Sequence, residues 1–351
     1  SSPHTTYDNP TFGSSIVLLD NMVGIGSGNT WINSPHDGQF YAYNNDLSNL
    51  ISSDNPQPHA AQYYGTAASG GDGFFVVAED GNLGSWNTET AITVYATHEN
   101  TINQVFRNVF VSSGTGGSRL RGLTATRDHV IGSYWLETEQ EITLYVRPVL
   151  RDANDAVIGL GSPVSITEAS SSPAAHLSDA QFTPAGGFAA HGNFIAIGRP
   201  GGSAANNAGE VQLLTFDETG IQHIATITPP VLETAGGFGR AIDFDGTRLF
   251  VSAPEAITTG TGTGAIYVYD VADQNTFTSP TVITSDQLTL STEKLGERLK
   301  ASDGVIVASV GEDAIVRFTV AVAASNTPPV LDSSATPQLN SVLEDAGVPV
   351  G

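Results

Sequence analysis

The residues of this chain best suited to hold a hard cation are Asp243 and Asp245, in the stretch Asp243-Phe244-Asp245-Gly246. Carboxylates set close together are the ligands calcium prefers. The same four residues also read as a tight turn. Asp-Gly between two apolar runs is a strong hairpin signal, because a type I′ turn needs positive φ at both central residues. Asp72-Gly73 and Asp303-Gly304 carry the turn signal with a single Asp each.

A second group could bind rather than react. The chain has three Trp, at 31, 86 and 135. Their neighbours are polar: His36 lies near Trp31, Asn82 and Asn87 flank Trp86, and Tyr134 precedes Trp135. Aromatic faces beside amides and carboxylates suit a sugar or a peptide side chain, with one surface for stacking and another for hydrogen bonds. The bland alternative is that each Trp folds back to roof its own piece of core.

Other chemistries find little support. There is no cysteine, which removes disulfides, zinc-thiolate sites and thiol nucleophiles. His98-Glu99 lacks the second His of a zinc helix, and no G-x-S-x-G elbow occurs. Gly260, Gly262 and Gly264 have no following Lys to make a phosphate cradle. The only lysines are Lys294 and Lys300, which leaves little for Schiff-base chemistry. Arg119, Arg121 and Arg127 cluster, and are expected to be solvated or ion-paired. The net charge of −23, from 36 acidic and 13 basic residues, disfavours nucleic acid and anionic membrane surfaces. It suits solubility, high salt or a calcium-rich exterior.

Positioning any of these side chains falls to β-structure. The 351 residues include 38 Gly and 18 Pro, only 14% are charged, and the apolar residues come in short runs, a turn-rich all-β profile. No apolar run approaches the ~20 residues of a membrane span. A strand, tight turn, strand unit recurs from Phe12, Tyr64, Arg121, Gly187, Phe238 and Leu295. A third strand follows each unit, at 38–44, 90–96, 141–147, 210–216, 264–270 and 314–320, and a weaker fourth precedes the next, as near Thr281 to Thr284. Repeats of this length with four strands predict propeller blades, stacked so that each sheet covers its neighbour. Six four-stranded blades are expected, with seven as the alternative. The sixth repeat shows three strands, so residues 4–10 are expected to supply the outer one and close the ring. Two separate β-sandwiches are the competing architecture.

The motifs that carry this repeat are "FGRAIDFDGTRLFVSAP" from Phe238, "GAIYVYD" at 264–270 and "IGRP" ending at Pro200. They resemble the FG-GAP repeat of integrin-α-type β-propellers, over about residues 4–322. The resemblance implies an extracellular propeller and says little about function. It also implies a calcium loop of the form D-x-D-x-D-G with a carboxylate three residues after the Gly. Anchored on Gly246, Asp245 and Asp243 take two ligand positions, but Ala241 and Leu249 occupy two others. The stretch is therefore a turn with, at best, a partial site. The Pro-rich tail at 325–351 resembles the start of a cadherin-like or bacterial Ig-like module of the kind strung along giant adhesins, or is an extended linker.

Together these features predict a propeller over residues 1–324 acting as an extracellular recognition or adhesion module. Trp31, Trp86 and Trp135 are expected between the second and third strands of the first three repeats, on one face. That face is expected to bind a glycan first or a protein second. An enzyme of the polysaccharide lyase or hydrolase type, and a structural spacer, are the alternatives.

Overall fold

The computed structural model describes residues 12–19, 21–27, 38–44, 46–54, 65, 67–79, 90–98, 101–111, 118–136, 141–169, 187–200, 208–230, 236–246, 248–257, 263–271, 277, 279–285, 294–302, 304–311 and 314–320. Among them lie 24 strands and no α-helix. The first sheet holds β1 (Phe12–Leu18), β2 (Met22–Ser27), β3 (Gln39–Asn44) and β4 (Leu50–Asp54). The second holds β5 (Ala68–Gly71), β6 (Phe74–Glu79), β7 (Thr90–His98) and β8 (Thr101–Val111). The third is built on β9 (Ser118–Ala125), β10 (His129–Leu136), β11 (Glu141–Arg151), β12 (Val157–Leu160) and β13 (Val164–Ala169). The fourth holds β14 (Phe188–His191), β15 (Phe194–Arg199), β16 (Glu210–Asp217) and β17 (Gly220–Ile227). The fifth holds β18 (Ile242–Asp245), β19 (Arg248–Ile257), β20 (Thr263–Asp270) and β21 (Thr281–Thr284). The sixth holds β22 (Leu295–Ser302), β23 (Val305–Val310) and β24 (Ala314–Thr319).

Every sheet but the third is an antiparallel meander in chain order; in the third, β11 pairs with both β12 and β13. The first strand of each touches the first strand of the next: β1 with β5, β5 with β9, β9 with β14, β14 with β18 and β18 with β22. First strands therefore gather at the centre and the others run outward, which makes a six-bladed β-propeller. Central strands are covered on both faces, so they read as unbroken apolar runs rather than alternating ones. On β19, Leu249, Val251 and Ala253 enter the core shared with blade four, alongside Val211 and Leu213 of β16. Similar cores join blades one and two, through Phe40 and Phe75, and blades three and four, through Leu144 and Ile197.

The recurring Phe-Gly has a packing reason. Phe238 is fully buried and sets its ring edge-on to Tyr267 at 5.2 Å and Tyr269 at 6.3 Å. Gly239 has φ 92° and lies against blade four, where a Cβ would meet the Glu210 carbonyl at 2.8 Å. In return, a Cβ on Gly198 would meet the Gly239 carbonyl at 1.9 Å. Blades one and two repeat this approach, with Gly26 set against the Gly65 carbonyl. The glycines of "FG" and "IG" are thus two sides of one close contact between blades.

The third blade departs from the repeat. β11 pairs with β13 over Glu141–Val146 and with β12 over Val149–Arg151. The extra hairpin reaches blade two: β12 touches β7 and β8, and Val157 and Leu160 join the core that holds Phe74 and Val94. Arg151 ties its base, donating to the carbonyls of Asp72 at 2.6 Å, Arg127 at 3.0 Å and Asp155 at 2.9 Å. Arg127 is ion-paired to Asp72 and Asp155, which agrees with its expected pairing.

In the sixth blade, β24 has one strand partner, β23, among the described residues. Residues 4–10, expected to add the outer strand, lie outside the described residues, as does the tail at 325–351. The chain divides into two compact units, Ser1–Thr319 and Val320–Gly351; the propeller is the first.

Candidate ligand-binding cleft

The Asp243-Phe244-Asp245-Gly246 stretch forms β18 and its turn, with Gly246 at φ 61°. Alternation along the strand sends Ile242 and Phe244 into the core shared with blade four. Asp243 and Asp245 face blade six. The Ala301 N–H donates to Asp243 Oδ2 at 2.8 Å, and Lys300 Nζ stands 3.5 Å from the same oxygen. The Gly304 N–H donates to Asp245 Oδ2 at 2.7 Å, and Arg248 pairs with it as well. Ala241 and Leu249, where a calcium loop needs ligands, are core residues at 1% and 0% exposure. The two carboxylates therefore join blade five to blade six. Among the described residues no group of three or more His, Asp or Glu side chains could hold a metal ion.

Trp135 lies inside β10, not in the connection after it, which comprises only residues 137–140. It pairs across the sheet with Ile142 and Arg119. Its ring packs against the core between blades three and four. Tyr134, its neighbour, takes the opposite face and packs towards blade two, 6.2 Å from the Tyr145 ring. The strand period of two thus separates Tyr134 from Trp135. Trp31, His36 and Trp86 lie outside the described residues.

A cavity of about 300 Å³ opens between blades four, five and six, lined by Pro200, Gly237, Arg240, Pro254, Glu255, Lys294 and Glu297. Pro200 and Pro254 belong to the ends of the second strands; Gly237, Arg240, Lys294 and Glu297 belong to the entries of the next blades. This is the face of the 2–3 connections and blade entries, where the sequence placed a binding surface. It is, however, the part of that face whose loops lack aromatics.

Repeat geometry brings the charges together. Arg240 follows Gly239 and Glu297 follows Gly296, the same position in adjacent repeats, and the two pair at 3.0 Å through Arg240 Nε. Lys294 Nζ pairs with Glu255 at 3.0 Å. All four side chains are a third to a half exposed, so each pair contributes about 0–1 kcal/mol and can be exchanged at small cost. The backbone beneath is fixed: the Gly239 N–H donates to the Ser252 carbonyl at 2.9 Å, the Ala241 N–H to Ser252 Oγ at 2.9 Å, and the Glu255 N–H to the Gly236 carbonyl at 3.1 Å. Pro254 sits in a β-bulge of β19, a position that asks for no ladder N–H. The cleft therefore presents two cations and two carboxylates on a rigid floor. None of these four was singled out from the sequence as a site residue. Laying "FGR" over "LGE" carried the signal.

No family model matches the chain, and no curated protein matches it in sequence. Similar solved structures include Sqt1 of Chaetomium thermophilum, with 14% identity over 73% of this chain and a TM-score of 0.40. The chain spans 58% of the length of that protein. The β-propeller domain of the Trilobed protease from Pyrococcus furiosus is 10% identical, with 87% of this chain and 84% of that one covered and a TM-score of 0.45. Hsv2 of Kluyvelomyces marxianus is 8% identical, with 93% and 78% covered and a TM-score of 0.45. Such likeness concerns the fold alone.

Proposed function

We propose that this propeller is a ligand-recognition or adhesion module of a larger extracellular surface protein, and that it binds a glycan or a protein on the face of the 2–3 connections and blade entries. The observation that carries the proposal is the cleft at blades four to six. It is concave, its backbone is held by hydrogen bonds between blade entry and strand end, and its charged side chains are exposed enough to change partners. The resemblance of the repeats to FG-GAP propellers, the acidic composition and the Pro-rich tail support an extracellular, modular setting. Trp31 and Trp86 belong by sequence to the 2–3 connections of blades one and two.

Binding of the purified chain to glycan and extracellular-protein arrays tests this. Wild type is expected to bind a defined ligand, and Trp31→Ala/Trp86→Ala or Arg240→Gln/Lys294→Gln variants to bind it more weakly. No ligand on either array, or a ligand held equally by all variants, would remove the proposed surface.

A further inference from the structure

The β11–β12 hairpin is the part of the molecule that the repeat does not account for. We infer that it is a second docking surface, on the face of the strand 1–2 turns, for a protein segment whose apolar side chains are flanked by Lys or Arg. This surface lies apart from the cleft and does not depend on it. β10 starts at His129, which pairs with Pro148, but β11 runs on to Arg151 with β12 beside it. Along β11, Ile142, Leu144 and Val146 face blade four and are buried there. Pro148 and Leu150 continue that stripe but are exposed, Leu150 to 44%. They meet over Gly161, where a Cβ would lie 2.8 Å from Pro148 Cγ and 3.6 Å from Leu150 Cδ2. On β12, Val157 and Leu160 join the core between blades two and three, and the Cβ position of Gly159 points at Val105 and Phe106 of blade two. Ile158, in the bulge beside it, turns outward and is 55% exposed. A single exposed Leu or Ile is ordinary on a protein surface. Pro148, Leu150 and Ile158 together prolong a buried stripe onto an added hairpin and make an apolar platform.

The platform is held in shape. Asp152 Oδ1 accepts from the N–H groups of Asn154 at 2.8 Å and Ala156 at 3.0 Å and closes the hairpin turn, while Arg151 ties the base. A preformed surface loses little conformational freedom on binding. Charge then selects the partner. Arg127 is taken up by Asp72, Asp128 and Asp155. Asp152 beside the platform, and Asp217 and Glu218 at the end of blade four, are exposed and make no ion pair among the described residues. That end of blade four adjoins the platform: His129, opposite Pro148, sets its ring 4.7 Å from that of Phe216. Basic side chains at the rim of an apolar contact neutralise these carboxylates. The net charge of −23 steers a basic partner towards the chain. The same charge repels a second copy and an anionic membrane.

The test uses the whole chain and three labelled peptides, read by fluorescence anisotropy at physiological ionic strength. One has Leu residues flanked by Lys, one the same Leu residues flanked by Glu, and one the Lys residues with Ser in place of Leu. The Leu/Lys peptide is expected to bind about tenfold more tightly than either of the others. L150S/I158S is expected to weaken its binding about tenfold, and D217N/E218Q to weaken it to a lesser degree, with the folding of each variant checked by thermal melting. I315S, at an exposed apolar position in blade six, is expected to change nothing. No binding, binding that either double variant leaves intact, an equal loss in I315S, or equal binding of the Glu or Ser peptide would each overturn the inference. So would a dimer in sedimentation, or capture by phosphatidylcholine vesicles, that L150S/I158S abolishes. The cleft is decided separately, by its own arrays and variants.

Discussion

Replacing Asp243 by Ala separates a blade staple from a metal ligand. Asp243 is mostly buried, with 15% of its side chain exposed, and accepts a 2.8 Å hydrogen bond from the Ala301 N–H of the next blade. A hydrogen bond to a charged group contributes about 1.5–3 kcal/mol. Lys300, at 3.5 Å and 81% exposed, adds about 0–1 kcal/mol. The expected loss is therefore about 2 kcal/mol, because the N–H of Ala301 is left without its acceptor. Asp243→Asn keeps an oxygen at the same place and is expected to lose less. Urea unfolding at neutral pH, with calcium and with EDTA, measures both. The same loss is expected in the two buffers. Were Asp243 and Asp245 calcium ligands, calcium at a hundred times its dissociation constant would add about 2.7 kcal/mol to the wild type. A calcium-dependent gain in the wild type that Asp243→Ala abolishes would refute the staple.

Three further outcomes follow from packing and titration. Phe238→Ala removes a fully buried ring between blades four and five and is expected to cost about 3–5 kcal/mol in urea unfolding. Gly198→Ala drives a methyl group to 1.9 Å from the Gly239 carbonyl, so the blades must part; about 1–3 kcal/mol is expected, seen as a lower unfolding midpoint. His129 packs edge-on to Phe216 at 4.7 Å, and burial holds its pKa below the usual imidazole value, an effect that the charge of Asp128 opposes. The unfolded imidazole takes its proton first, so the His129 contribution is complete above the ordinary value of about 6.5 and is lost as pH falls from there through the folded value. His129→Gln is expected to flatten that part of the pH–stability curve.

Much of the fold was legible because each blade repeats one packing problem. Phe238 and Gly239 mark a blade entry by their chemistry: one fills a core, and the other permits a close approach at positive φ. The third strands and β21 fell where apolar runs placed them. The β11–β12 hairpin was not legible. Its turn uses Asp155 at φ 67° in place of Gly, and its Val157 and Leu160 bury in the core between blades two and three. Trp135 was set in a connection because the end of β10 carries no turn residue to mark it, and strand alternation then parted it from Tyr134. The direction of Asp243 and Asp245 depends on which neighbouring blade each face of β18 meets, a relation between blades that the local stretch does not contain. The charged cleft lies between. Its residues occupy repeat positions that can be aligned by eye, but its volume depends on the spacing of blades four to six.

Hydrogen exchange of the chain with and without its array ligand tests the central claim most directly. Protection on binding is predicted at residues 236–241, 253–256 and 294–298, the walls of the cleft. Protection confined to the opposite face, at the strand 1–2 turns of residues 72–73, 126–128 and 192–193, would contradict the account.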